Sequence, residues 1–284
     1  MKKLILLTLS MFLLIEAMYS QESNSEIRLL IRGDDIGSFH AANLGCIRSY
    51  TEGIMRSVEV MVPAPWFPEA VQMLNDNPGL DVGIHLVLTS EWSSMKWRPL
   101  TGISSITDSE GYFYPMVWTN ENFGPERAFI ESEWNLEDVE KELRAQIELA
   151  LEKIENISHI STHMGFSWAH PDLQKLVEKL TAEYGLQIEM EGKDVRQFKF
   201  DNDRNDDYLT RAQKMADAIL KLEPGTYIFV EHPAMDTPEM ETVGHTGYED
   251  VGKDREGVTR MFTSQVVMDA VREKKVKLIS YQDL

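Results

Sequence analysis

Ile27-Arg28-Leu29-Leu30-Ile31-Arg32-Gly33-Asp34-Asp35 is the stretch on which the reading of this chain turns. A largely apolar run of strand length stops at a glycine and two adjacent carboxylates. Downstream the rhythm repeats: short apolar runs alternate with helical spacing. It predicts strands over 27–31, 57–62, 80–88, 157–162, 186–190, 226–230 and 276–280. It predicts helices over 40–52 (closed by Gly53), 66–74, 135–154, 171–184, 208–221 and 262–273. The helix over 135–154 is the clearest. Asn135 can cap it, Glu137 and Asp138 suit its first turn, and Val139, Leu143, Ile147 and Leu151 form its apolar stripe. Strands alternating with helices imply a parallel sheet with helices outside. Seven such units fit an α/β fold, a closed or nearly closed (β/α) barrel, with an open doubly wound sheet as the competitor.

The chain has 284 residues, a length for one α/β barrel domain. Twenty-eight Lys and Arg against forty-seven Asp and Glu give a net charge of −19, which speaks against binding to nucleic acid. A single cysteine, Cys46, excludes an intramolecular disulfide framework and a cysteine-rich zinc site. Glycines 33 and 37 lack the spacing of a phosphate-binding loop. Residues 1–20 read as a signal peptide: Lys2 and Lys3, an apolar run over 4–14, then small and polar residues up to Ser20. That run is too short to span a bilayer, so no integral membrane segment is expected in the mature chain, and the expected location is secreted or periplasmic. Residues 21–284 then form a single catalytic domain.

Residues 89–134 break the rhythm. They lack periodicity yet hold Trp92, Trp97, Trp118 and Trp134 with Tyr112, Phe113 and Tyr114. Aromatics at this density suggest an ordered cap over the barrel mouth. Its rings either pack the cap down or stack on a ligand.

Barrel active sites sit at the C-terminal ends of the strands. There this sequence puts Asp34 and Asp35, His85, His163, and Glu231 with His232. Each has a plainer reading: a helix cap for the aspartates, a core histidine for His85, a turn residue for His232. Their joint placement on one rim favours a site. Adjacent carboxylates repel unless a cation lies close, and Asp-His-His is a common open set for a catalytic divalent metal. The other carboxylate, pointing elsewhere, would be left to act on water. His159 points the same way as His163 but lower in the barrel, and His170 looks like a helix-start residue.

Several motifs resemble those of the YdjC-like carbohydrate deacetylases, the group that contains the chitooligosaccharide deacetylases. Arg32-Gly33-Asp34-Asp35-Ile36-Gly37 resembles the family's Asp-Asp-aromatic-Gly opening, with Asn43, Gly53-Ile54, Ser57 and Met61 in step. Gly83-Ile84-His85-Leu86-Val87-Leu88-Thr89 is similar to its most specific motif. His159-Ile160-Ser161-Thr162-His163 and His232-Pro233 resemble two more, and Glu142 to Gln146 is a weaker match in the long helix. The resemblance covers essentially the whole mature chain. It implies a distorted (β/α) barrel, as in polysaccharide-deacetylase-like enzymes, with one divalent metal ion on Asp35, His85 and His163. It also implies Asp34 as catalytic base, His232 as general acid, and removal of acetyl groups from N-acetylated sugars or oligosaccharides. Two imidazoles and a carboxylate favour Zn²⁺ or another transition metal over the Mg²⁺ often given for the family. Ile36, Ser161, Gly165 and Ala234 depart from the pattern, where an aromatic, an aspartate, a histidine and a glycine are usual. None is an expected ligand. All lie near the expected pocket, so they bear on substrate choice. Two other readings stay open: an amide or ester hydrolase on another glycan or glycolipid, and a catalytically silent carbohydrate-binding barrel. The sequence leaves the oligomeric state open.

Overall fold

Every strand pairing in the sheet is parallel, and the sheet curls into a half-barrel. The computed structural model describes residues 26–188 and 193–284. Its strands are β1 (Ile27–Ile36), β2 (Ser57–Val60), β3 (Asp81–Leu86), β4 (Ile157–Thr162), β5 (Gln187–Ile188), β6 (Arg196–Gln197), β7 (Gly225–Glu231) and β8 (Lys277–Ile279). The order is β5-β4-β3-β2-β1-β7-β6, and β8 also pairs with β1. Strand β1 is therefore the hub, and its eight residues 29–36 are all buried. That burial is why it reads as a nearly continuous apolar run. The expected signal peptide and part of the strand expected over 186–190 lie outside the described residues.

The helices are α1 (His40–Thr51), α2 (Phe67–Asn75), α3 (Leu136–Lys153), α4 (Pro171–Glu183), α5 (Tyr208–Ile219), α6 (Val251–Phe262) and α7 (Gln265–Glu273). Asn135 caps α3 by accepting a bond from the Asp138 amide. His170 likewise caps α4, with its ring nitrogen accepting from the Asp172 amide at 3.2 Å. Two expectations need correction. The stripe on α3 runs through Val139, Leu143, Ile147 and Ala150, while Leu151 is exposed. The helix expected over 262–273 begins only at Gln265, as α7, because the chain turns at Thr263 and Ser264; Phe262 instead closes α6, a helix over 251–262 that the pattern does not predict.

Residues 89–134 form an ordered cap of loops, isolated bridges and two short 3-10 turns (Pro125–Arg127, Phe129–Glu131). Trp92, Trp97 and Phe113 are buried, so most of its rings pack it down, whereas Trp118 is exposed. The cap hangs on α3. Buried Glu142 accepts from the Leu100 and Thr101 amides at 3.1 and 3.0 Å and from the Thr101 hydroxyl at 2.8 Å. Gln146, one turn on, exchanges two bonds with the backbone of Val87 and donates to Glu142 at 2.8 Å. The Glu142 to Gln146 motif thus serves to dock the insertion.

Candidate metal centre

The parallel strands carry their C-terminal ends to one rim, and there Asp35, His85 and His163 converge. One donor atom from each lies within 4.8 Å of the others, and all three residues are buried. A regular strand would send Asp34 and Asp35 to opposite faces. Here the β1–β2 register shifts between Gly33 and Ile36, and Asp35 takes a left-handed φ of 73°. This bulge turns both carboxylates into the same cavity, which corrects the expectation that the second would point elsewhere. His85 Nε2 lies 3.8 Å from Asp34 Oδ2 and 3.7 Å from Asp35 Oδ1. A left-handed non-glycine residue carries strain, and here it falls on a residue of the cluster.

Hydrogen bonds fix the tautomer of His85. Its Nδ1 lies 2.7 Å from Ser161 Oγ. Ser161 donates its only hydroxyl proton to Glu59 Oε2, so it can only accept from His85. Nδ1 therefore holds the proton, and the Nε2 lone pair faces the aspartates. Burial, with the His163 charge adding to it, holds the His85 ring down to about 3, so it stays neutral. The aspartate usual at position 161 is thus replaced by a serine backed by the Glu59 carboxylate. Glu59 Oε1 in turn lies 2.6 Å from His159 Nε2, and His159 Nδ1 lies 2.7 Å from Ser158 Oγ, which donates to Asp81 at 2.6 Å. The column runs through the barrel interior. Gly83 makes room for it, since a Cβ there would lie 2.4 Å from His159 Nε2 and 2.5 Å from Glu59 Oε2. His159 is a satisfied core histidine, stacked on Tyr281.

His163 is oriented from the cap. Its Nε2 lies 3.1 Å from Glu91 Oε2, and its Nδ1 lies 3.4 Å from Asp35 Oδ1. Burial opposes a proton on this ring, yet Glu91 and Asp35 together raise it to about 10. The two acids thus stabilise positive charge between them. Burial would raise Asp35, but the Arg255 guanidinium, 2.9 Å from its Oδ2, holds it well below the usual carboxylate range, with His232 and His163 helping. Its other oxygen, Oδ1, is buried, and it meets His163 Nδ1 only at the long distance of 3.4 Å and His85 Nε2 at 3.7 Å. An ionised carboxylate oxygen and the His85 lone pair suit a divalent cation, and His163 can join them through Nδ1 once that nitrogen gives up its proton, with Glu91 keeping hold of the Nε2 proton.

Asp34 is gripped by Arg32 at two points, 2.7 and 3.0 Å. Burial lifts its carboxyl to about 6 against the pull of Arg32. His232 lies at the mouth, its side chain 40% exposed, with Nε2 4.0 Å from Asp35 Oδ2. Burial lowers it, but Asp35 and Glu231 outweigh that and raise it. The cavity measures about 410 Å³, and Trp92, His245 and Tyr248 form one of its walls.

Arg255, Glu91 and Glu59 escaped the sequence reading. Arg255 sits in a charged run of α6 that resembles a solvated face, yet it is 4% exposed. Glu91 follows the Gly83–Thr89 motif by two residues, the one signal that could have drawn notice.

A family model described as YdjC-like protein matches residues 28–273. A carbohydrate deacetylase of Listeria monocytogenes is 32% identical over 162 residues, 57% of this chain and 60% of the relative. The chain thus spans about 60% of the length of the first curated relatives it matches. A carbohydrate deacetylase of Vibrio cholerae is 26% identical over 91% of this chain and 96% of its own. Among solved structures, a protein of Enterococcus faecalis described as a cellobiose-phosphate cleavage protein superposes with a TM-score of 0.68. The match covers 91% of this chain and 99% of the other at 24% identity, a likeness of fold.

Proposed function

We propose that this chain, which belongs to the YdjC-like family, is a metal-dependent hydrolase that removes acetyl groups from N-acetylated sugars or oligosaccharides. The observation that carries the reading is the fixed His85 tautomer, with its Nε2 lone pair facing Asp35 and Asp34. Asp35, His85 and His163 would hold the cation. Two imidazoles and a carboxylate favour Zn²⁺ or another transition ion over Mg²⁺. Such an ion, when bound, supplies Lewis acidity that acidifies a water and polarises a carbonyl.

The chain's own side chains supply the proton transfers. Asp34, oriented by Arg32, accepts a proton from the attacking water. His232, whose hold on a proton at the mouth is strengthened by Asp35 and Glu231, donates one to the departing amine. Acetate and a free amino sugar leave. Arg255 holds Asp35 ionised and aimed. The carbohydrate deacetylases among its relatives support the substrate class. The basic start and apolar run over 4–14 support export of the protein. Among the described residues no helix is long and apolar enough to cross a membrane.

The test is acetate release from a panel of N-acetylated sugars, with chelation and metal add-back. Chelator-sensitive release is expected. Asp34→Asn should keep the cation and lose turnover by at least about a hundredfold. Loss of the cation in that variant would refute the division of roles between Asp34 and Asp35. A protein that binds one cation yet frees no acetate would point instead to another amide or ester of a glycan.

A further inference from the structure

Part of the cavity wall is built by the segment that follows β4, and it is unusual in its backbone and in its surface. Met164 and Gly165 are consecutive left-handed residues, with φ of 52° and 65°. They reverse the chain immediately after His163. Phe166 is buried beyond them, and the Ser167 hydroxyl lies 3.0 Å from Thr162 Oγ1, so the reversal is pinned at both sides. This mount carries Trp168. Its indole lines the same cavity as Asp35 and His85, yet it is 78% exposed. Leaving so large an apolar ring in water forgoes the gain that burial gives to Trp92, the other tryptophan lining the cavity.

The ring lies over Gly165. A Cβ on that glycine would come within 2.8 Å of Trp168 Cε3 and 3.0 Å of Cζ3. This is the position where the resembling family usually has a histidine. In this chain the polar side chain is gone, and an indole occupies its space. The departure therefore exchanges a polar contact at the cavity edge for a flat apolar one.

A flat ring on a fixed mount, beside a polar cavity, matches the C–H face of a pyranose, which is apolar on its face and polar at its edge. A lipid surface fits poorly, since a net charge of −19 repels anionic headgroups and one ring gives little area. The cavity, about 410 Å³, is at the small end of ligand clefts, which run from about 300 to 1,000 Å³, and suits one sugar residue. A ring at its rim meets the next residue along. We propose that Trp168, seated on Gly165, is a sugar-binding platform for the residue adjoining the one that reacts, so that the substrate is a glycan of at least two sugars. This rests on the hydrolase reading for which sugar reacts, though not for whether the platform binds.

The experiment compares the full-chain, metal-supplemented protein with Trp168→Ala, Trp168→Phe and Gly165→Ala. The probes are N-acetylglucosamine and its β-1,4-linked dimer and tetramer. Titration calorimetry reads binding, and acetate release reads turnover. The wild type should prefer the dimer over the monomer by about two- to tenfold, one stacked ring's worth. Trp168→Ala should erase that preference, Trp168→Phe should keep most of it, and Gly165→Ala should weaken it by displacing the indole. Trp118→Ala, an exposed tryptophan of the cap outside the cavity lining, should leave it intact. An unchanged preference in Trp168→Ala, or no preference in the wild type, overturns the platform. If acetate is released while Trp168→Ala keeps the preference, the platform fails and the hydrolase stands. If no probe loses acetate but the binding preference depends on Trp168, the platform stands and the hydrolase fails.

Discussion

His85 and His163 face the same carboxylate, but different parts of the chain hold them. His85 belongs to β3, and its second nitrogen is tied to Ser161 of β4 and through it to Glu59 of β2. Every member of that column is sheet, and the column continues down through His159 and Asp81. His163 stands just past the end of β4, and its second nitrogen meets Glu91, which belongs to the cap. The cap in turn hangs on α3 through Glu142. The sheet thus orients one histidine and the insertion the other. Folding of the barrel alone would leave the second imidazole unguided, so the centre is complete only when the cap has docked.

If this contrast holds, damage to the floor should cost fold as well as site, and damage to the cap's contact should cost mainly the site. The largest effect belongs to Glu59. It is fully buried and partners Ser161 and His159, with Arg32 3.8 Å away. Removing one partner of a buried ionic network strands the others, at about 3–5 kcal/mol. Glu59→Ala should show that loss in denaturant unfolding, and wild-type stability would refute a structural column. Burial would raise the Glu59 carboxyl, but His159 and Arg32 outweigh it and bring it to about 2, against an ordinary 4.5. Its folded value lies below its unfolded one, so its contribution is fully present above about pH 4.5. That contribution fades as the pH falls toward 2. Glu59→Gln should flatten this acid limb of the stability profile, and an unaltered limb would assign acid sensitivity elsewhere.

The two halves also differ in how far the sequence reveals them. Strands β1 to β4 and β7 are legible because buried parallel strands need apolar runs. Asp34, Asp35, His85, His163 and His232 stand out because each falls at the end of such a run. Helix α6 is not legible: two glycines and a charged run hide its apolar spacing, and Arg255 is buried only through its long-range approach to Asp35. Glu59 reads as the polar position of an alternating strand, and nothing local tells that it faces His159 rather than water. The bulge at Asp35 is equally silent: an aspartate tolerates a left-handed φ better than most residues, but nothing in the local pattern says which of the two aspartates adopts it. What the local pattern cannot carry is whatever depends on two distant segments meeting.

Glu91→Gln tests the cap's side at intermediate size. The amide keeps the shape and can still accept from His163 Nε2, but the carboxylate charge that makes Nδ1 a more basic ligand is gone. Cation affinity, read by calorimetry on the full chain, should fall about 10- to 100-fold, the usual cost of a lost outer partner. Stability should stay near the wild type, because Glu142 and Gln146 still hold the cap. An unfolding midpoint as low as that of Glu59→Ala would mean that Glu91 is structural, and the contrast between floor and cap would collapse.

Ser161 gives the smallest effect and the sharpest sign. Ser161→Ala removes the acceptor from His85 Nδ1 and the donor to Glu59, so the ring can rotate or change tautomer. About tenfold weaker cation binding is expected, the low end of such losses. Ser161→Asp restores the residue that the resembling family carries there, and a naive expectation is improvement. The structure argues the reverse. Glu59 already sits within hydrogen-bond reach of that position, so a second carboxylate would meet a buried like charge with no hydroxyl proton to share. Ser161→Asp should therefore bind the cation more weakly than Ser161→Ala, and Glu59→Gln in the same chain should recover part of the loss by removing the repulsion. If Ser161→Asp bound the cation as well as the wild type, His85 would take its orientation from the aspartate alone, and Glu59 would no longer belong to the metal site.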